Sequence, residues 1–302
     1  MPSRSACYNN NSDIKPLGKR MLLWIAQMLT LAAFLASVSS TSHARTWYVK
    51  ADGTGDAPTL EAAVDSSAEG DEILVGPGTH QIEWEMLLKN DMVATSENGP
   101  WETRIVPKPM HYPPSGFSCV GVYSVTISGL WFEGFGGGPS DFGPITVYQS
   151  SGLHIENNVF VNNRQAGIAI LAVVPGQSEV YIEHNTIVGN MDTNMAMIGG
   201  NSRGFVTSNI LWGQVFDVEW FDAVGGNCMQ DTLDAGWFAP FNFSADPQFC
   251  GASAGNYYLQ EDSPCVDGPG GGWGLIGALP VGCGAVSVEP TSWGRIKAIY
   301  DE

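Results

Sequence analysis

The sequence predicts an all-β fold in which the chain winds into stacked coils, and three observations carry that expectation. An eleven-residue phrase occurs twice: Leu153 to Asn163 reads LHIENNVFVNN and Val180 to Asn190 reads VYIEHNTIVGN, 27 positions later. Looser copies flank it, VTISGLWFEGF at 125–135 and GFVTSNILWGQ at 204–214, so the repeat recurs every 24 to 28 residues, a solenoid period. Within the copies apolar residues alternate (Val125 and Ile127, Leu153 and Ile155, Val180 and Ile182, then Val206), which places them on the inner face of a strand.

Asn158, Asn185 and Asn209 stand at one place in three successive copies, where the strand must turn a corner. Asn tolerates left-handed backbone angles, and its amide can bond the identical amide one coil on, so stacked corners would form a ladder. Leu130 occupies that place in the first copy. After the corner, Phe132, Phe160, Ile187 and Leu211 would point back into the core. The apolar runs at 145–148, 167–171, 195–198 and 215–218 would supply the next strand of each coil.

Composition agrees with one domain rather than several. The 302 residues are 44% hydrophobic, enough for a long core, and 37 Gly with 18 Pro provide many tight turns. Lys15, Lys19 and Arg20 precede the apolar run 21–38, and Ser42-His43-Ala44 has small residues where a signal peptidase would cut, so 1–44 reads as a secretory leader. An uncleaved anchor is the alternative, and no later stretch is long enough to span a membrane. Removing Arg4, Lys15, Lys19, Arg20 and Asp13 with the leader leaves 9 basic against 30 acidic side chains, a formal charge of −21. Such a surface repels nucleic acid and anionic lipid, and repels acidic polysaccharides unless a divalent cation bridges them.

The remainder divides into one β domain over 45–285 and a linker with a short helix over 286–302. The clearest repeats run from about 125 to 220. The domain opens with a strand at 46–49 and a turn at 52–56. A short helix follows, carrying Leu60, Ala63, Val64 and Ser67 on one face, with Thr59 as N-cap and Gly70 past its end. Pro107, Pro109, Pro113 and Pro114 argue against central strands, so 85–124 reads as a loop that would wall a cleft.

The opening YVKADGTGDAPTLEAAVDSSAEGDEILVGPGTH (48–80) resembles that of right-handed parallel β-helix proteins of the pectin-lyase-like superfamily, in which a helix caps the first coil. The resemblance implies a right-handed solenoid with that capping helix. The segments Asp246 to Phe249, Asn256 to Leu259, Ser263 to Asp267 and Leu275 to Ala278 resemble the cysteine-bearing C-terminal cap of secreted bacterial members, placing a cap at about 227–285. Cys228, Cys250, Cys265 and Cys283 lie there and can pair in three ways. Proximity along the chain favours Cys228 with Cys250 and Cys265 with Cys283, leaving Cys119 free; a zinc site lacks the usual CxxC.

Candidate chemistry lies on the outward side of the repeat strand. One column holds Thr126, His154, Tyr181 and Phe205, and its neighbour holds Ser128, Glu156, Glu183 and Thr207. Adjacent coils sit about 4.8 Å apart, so Glu156 and Glu183 would be stacked carboxylates near the roughly 5 Å used by retaining glycoside hydrolases, with His154 beside them. Tyr181, Phe205, Trp131 and Trp212 are candidates for stacking on sugar rings. Asp217, Glu219 and Asp222 would be candidate calcium ligands. Superfamily lyases use such calcium to neutralise uronates and take Lys or Arg as base, for which Arg164 and Arg203 are the nearest choices. Gln230-Asp231-Thr232-Leu233 matches a pectin methylesterase motif, but that family's later motifs are missing. These readings favour a secreted monomer binding carbohydrate or a cell surface along its flank. A polysaccharide lyase or glycoside hydrolase is the alternative, and a purely structural surface module a third reading.

Overall fold

The computed structural model describes residues 44–111, 113, 115–136, 143–164, 166–171, 178–190, 195–197, 202–213, 223–230 and 241–283. The expected leader, apart from Ala44, and the tail 286–302 lie outside them. Among the described residues, no helix is long and apolar enough to cross a membrane.

The N-terminal helix forms as its capping signals require. Thr59 Oγ1 accepts the Ala62 N–H at 3.2 Å at the start of helix Leu60–Ser66, and Leu60, Ala63 and Val64 are buried. Its C-terminal carbonyls are satisfied from outside: Lys89 Nζ donates to Val64 O (3.0 Å), Asp65 O (3.2 Å) and Ser67 O. Beside it Asp71 accepts from Ala68 N, Arg45 N and Trp47 Nε1. Burial would raise the Asp71 carboxyl, but these donors, with the Arg45 charge, hold it below the usual carboxylate range.

The described strands build three parallel sheets and one antiparallel pair. Sheet A stacks Thr46–Val49, Glu72–Val75, Val93–Ser96, Thr126–Ser128, Ser151–Glu156, Ser178–Glu183, Ser202–Thr207 and Ala223–Gly225. Sheet B runs from Gly78–Ile82 through Thr103–Pro107, Trp131–Glu133, Val159–Val161, Thr186–Val188 and Ile210–Trp212 to Cys228–Met229. Sheet C stacks Met86–Leu87, Ser115–Val120, Gly143–Tyr148, Ile168–Leu171 and Met195–Met197. The chain visits A, B and C in turn on each coil. Leu153, Ile155, Val180, Ile182, Phe132, Phe160, Ile187 and Leu211 all face the core and are buried. Phe132 and Phe160 stack there, with centroids 5.1 Å apart and planes within 6°. Gly204 takes the inward place next to Val180, with φ of 125°; a Cβ would lie 2.0 Å from Val180 O, so only glycine fits.

The corner ladder exists and is longer than expected. Asn158 donates its backbone N–H and its side-chain amide to Asn185 Oδ1, Asn185 does the same to Asn209, Asn209 to Asn227, and Asn227 to Asn242. Leu130, which lacks the amide, still gives its N–H to Asn158 Oδ1. The left-handed residue is not the ladder Asn itself but the one before it: Gly129, Asn157, His184, Ser208 and Gly226 all have φ between 54° and 71°. A second ladder, Phe135 to Asn163 to Asn190, turns the next corner in the same way.

The reading of 85–124 as a wall-forming loop is corrected. Those residues supply strands of the first two coils, including Thr103–Pro107 and Ser115–Val120. Pro107 fits because Lys108 N–H already turns to Ile82 O (2.7 Å), so the proline nitrogen faces the side on which pairing with Trp131–Glu133 has ended at Ile105. The neighbour pairing of cysteines is corrected as well. Cys250 is joined to Cys283, because hairpin strands Phe249–Gly251 and Asn256–Leu259, bridged to Val281, bring them together. Cys119, Cys228 and Cys265 are free and buried.

The C-terminal segment first closes the stack and then turns back along it. Phe243 bridges Cys228 as one more rung. Later residues cover the outside of sheet B: Tyr257, Leu259, Cys265, Ile276 and Leu279 form one buried cluster with Trp131, Val159, Val161, Val188, Ile210 and Cys228. Ala278 N–H donates to Thr186 Oγ1 (3.0 Å), and Gly277 N–H to Ser208 O (2.8 Å). Those outward positions are apolar because they are a second core.

Two outcomes follow. Asn185→Ala removes the acceptor of Asn158 and the donor to Ile155 O and Asn209, leaving buried groups unpaired; urea unfolding should show a loss of about 2–4 kcal/mol. His80 is buried, with its Nε2–H 2.9 Å from Gly76 O, and burial, partly offset by that bond, pushes the ring below the ordinary histidine range. A lowered folded value means that the stability is complete above the unfolded value of about 6.5 and is lost as pH falls toward the folded one. The urea midpoint should therefore drop between about pH 7.5 and 5.5, and His80→Gln should remove that part of the drop.

Candidate functional site on the outer face of sheet A

The outward residues of sheet A fall into the two expected columns. Thr126, His154, Tyr181, Phe205 and then Ala223 are in register, as are Ser128, Glu156, Glu183, Thr207 and then Gly225. The rings of the first column stack along the solenoid. His154 and Tyr181 have centroids 4.6 Å apart and planes within 5°, and Tyr181 and Phe205 are 5.5 Å apart at 22°. Tyr181 therefore has both ring faces occupied and offers no face to a sugar. Its hydroxyl donates to Glu179 Oε1 at 2.6 Å. Phe205 is different: its neighbour in register on the next rung is Ala223, and it is 39% exposed. In the second column Thr207 Oγ1 donates to Glu183 Oε1 at 3.0 Å, and Glu156 and Glu183 occupy adjacent rungs.

Among the described residues both columns run down to small residues, and a cleft of about 560 Å³ lies there. Thr207, Ser208, Ala223, Val224, Gly225 and Gly226 form its floor, and Phe241 and Trp273 its wall. A Cβ on Gly225 would meet nothing within 4 Å, so the column itself leaves room. Trp273 is held edge-on between Phe241 and Phe243, 5.9 Å from each. The turn carrying it is fixed by Asp267, whose carbonyl accepts Trp273 N–H and whose carboxylate accepts Gly274 N–H. The backbone amides of Gly272, then Gly274, hold that carboxyl below its ordinary range. Phe241 is 60% exposed.

Sheet A thus brings together Glu156, Glu183, His154, Tyr181 and Phe205. It does not bring Trp131 or Trp212 to them. Both belong to sheet B, and Trp131 is a correction: it is 1% exposed, sealed by Trp101, Tyr257 and the Arg104 guanidinium 4.6 Å over its ring. Trp212 is half-buried against the same second core. Asp217, Glu219 and Asp222 lie outside the described residues, as do Asp231, Thr232 and Leu233. Among the described residues, no three His, Cys, Asp or Glu side chains are grouped to hold a metal ion. Arg164 and Arg203 are exposed, Arg203 in register with Glu179. Phe241 and Trp273 were not singled out from the sequence. Asn242 continues the ladder only 15 residues after Asn227, a shorter coil than the repeat, and Trp273 sits in a glycine-rich run that reads only as turn.

A family model described as "Right handed beta helix region" matches residues 115–215. No curated protein matches the chain. Among solved structures, the crystal structure of pectate lyase Pel9A is similar over 81% of this chain and 98% of that one, with 13% identity and a TM-score of 0.32. Similarity of that degree assigns no residue roles. Coils, register and family model together define a parallel solenoid. The chain has the fold of a right-handed parallel β-helix.

The two kinds of aromatic should separate on mutation. Trp131→Ala should cost about 3–5 kcal/mol in urea unfolding, whereas Phe205→Ala, at an exposed position, should cost about 1 kcal/mol or less.

Proposed function

We propose that the protein binds a neutral glycan chain along the outer face of sheet A, with a sugar ring seated in the cleft beside Phe205. The observation that carries this reading is the open aromatic cleft at Ala223 and Gly225, walled by Phe241 and Trp273 and floored by small residues. An apolar recess with a few hydroxyls, here Thr207 and Ser208, suits a ring with an apolar face and polar edges. The acidic balance of the chain and the Glu156–Glu183 column favour a neutral chain over uronates unless a cation such as calcium bridges them. A secreted or cell-surface location, with 1–44 as a cleaved leader, fits this reading, as does action as a monomer.

Glycoside hydrolysis by Glu156 and Glu183, with His154 nearby, is the second reading. Its support is their adjacency on neighbouring rungs, about 4.8 Å apart, close to a retaining pair. Against it, 85–124 forms coils rather than a wall over these carboxylates. A purely structural module would leave the cleft empty.

The test is binding of the purified protein to neutral and acidic polysaccharides with and without calcium, followed by assay for new reducing or unsaturated ends. Neutral-glycan binding without cleavage, weakened about tenfold (about 1.4 kcal/mol) by Trp273→Ala or Phe205→Ala, is the expected result. Absence of binding, or binding indifferent to both substitutions, contradicts it. New ends abolished by Glu183→Gln would establish the hydrolase instead.

A further inference from the structure

Two of the four C-terminal cysteines are bonded, and the other two meet inside the second core. Cys228 follows Trp131, Val159, Thr186 and Ile210 in one outward column of sheet B. Cys265 is carried by the segment that returns over that column, and both side chains are fully buried in the same cluster. Their surroundings adjoin: Cys228 Sγ donates to Ala245 O (3.2 Å), and Ser263, two residues before Cys265, donates through Oγ to Pro247 O (2.6 Å). Each backbone is fixed independently: Cys228 N–H to Asn209 O (2.9 Å), Cys265 N–H to Ser263 Oγ (3.1 Å), and Ile276 N–H to Cys265 O (2.8 Å).

We propose that Cys228 and Cys265 form a second disulfide that staples the final coil to the returning segment. With Cys250–Cys283 it would make two overlapping loops, 228–265 and 250–283. One cysteine of each bond would then lie within the loop closed by the other, so neither the last rung nor the flank cover could detach alone. Cys119 has no part in this. It lies in register with Val147 on the inner face of sheet C, and burial pushes its thiol up to about 12.

The bond forms by thiol–disulfide exchange with an external disulfide, such as oxidised glutathione or the active-site disulfide of an oxidoreductase. One cysteine thiolate attacks it, forming a mixed disulfide and releasing one thiol. The second thiolate then displaces the other. The two protein sulfurs are oxidised, the external disulfide is reduced, and the two cysteine protons end on the released thiols. Exchange precedes docking of the returning segment, because both sulfurs are inaccessible afterwards. In a docked reduced pair, the hydrogen bond to Cys228, then burial, pushes the Cys265 thiol up and makes it a poor nucleophile. The pair is thus oxidised in a compartment that supplies disulfides during folding.

The experiment is disulfide mapping of the full chain, exported to an oxidising compartment or refolded in a glutathione buffer. The protein is alkylated in denaturant without reductant and then digested. Of the five cysteines from Cys119 onward, only Cys119 should be alkylated, and a Cys228–Cys265 peptide should accompany the Cys250–Cys283 peptide. Alkylation of both Cys228 and Cys265 in protein that carries the Cys250–Cys283 bond would overturn the proposal. Recovery of Cys228 bonded to any cysteine other than Cys265 would do the same. Because the native chain is mapped, no variant has to fold for either answer.

Discussion

A buried corner has to satisfy its own backbone, and that constraint organises this molecule. Where sheet A passes into sheet B, the chain turns inside the body of the solenoid, and its N–H groups cannot reach water. Each ladder Asn solves this twice, accepting the previous coil's backbone N–H and donating to a carbonyl of that coil, as Asn185 does with Asn158 and Ile155. Because the acceptor of one coil is the side chain of the next, the pitch and the register are set together. His154, Tyr181 and Phe205 stack, and Glu156 and Glu183 share a column, only because Asn158, Asn185 and Asn209 fix where each strand begins.

With register fixed, the fate of each flank depends on what its outward columns carry. Sheet B presents Trp131, Val159, Ile210 and Cys228, which cannot stay in water, and the C-terminal segment returns to cover them. Sheet A presents His154, Glu156, Glu183 and Thr207 and needs no cover. Among the described residues its columns shrink to Ala223 and Gly225, and beside them lies a recess to which the same C-terminal segment that seals sheet B lends Trp273.

Much of this was legible from the sequence, for a physical reason: strand alternation and corner chemistry are local. The inward set, the outward columns and the Thr59 cap follow from spacing and hold in the structure. What failed depended on distant partners. Nothing near Trp131 in the chain announces that Tyr257 will bury it, and Cys250 is closer in sequence to Cys265 than to Cys283, yet a hairpin reverses that order in space. Pro107 misled because a proline at a strand end costs no ladder bond. The left-handed angle fell one residue earlier than expected, since the Asn side chain must reach the next coil from an ordinary backbone. For the candidate site, Phe205 was visible and the cleft was not, because Phe241 and Trp273 arrive from outside the repeat.

The central claim is that the corner amides are as protected as the core itself. Native-state hydrogen exchange measures this directly. The account predicts that the backbone amides of Asn158, Asn185 and Asn209 exchange only through global unfolding, with protection equal to that of Ile155 and Ile182 at the same denaturant concentrations. Exchange of these three amides at rates typical of surface turns, while Ile155 and Ile182 remain protected, would contradict it.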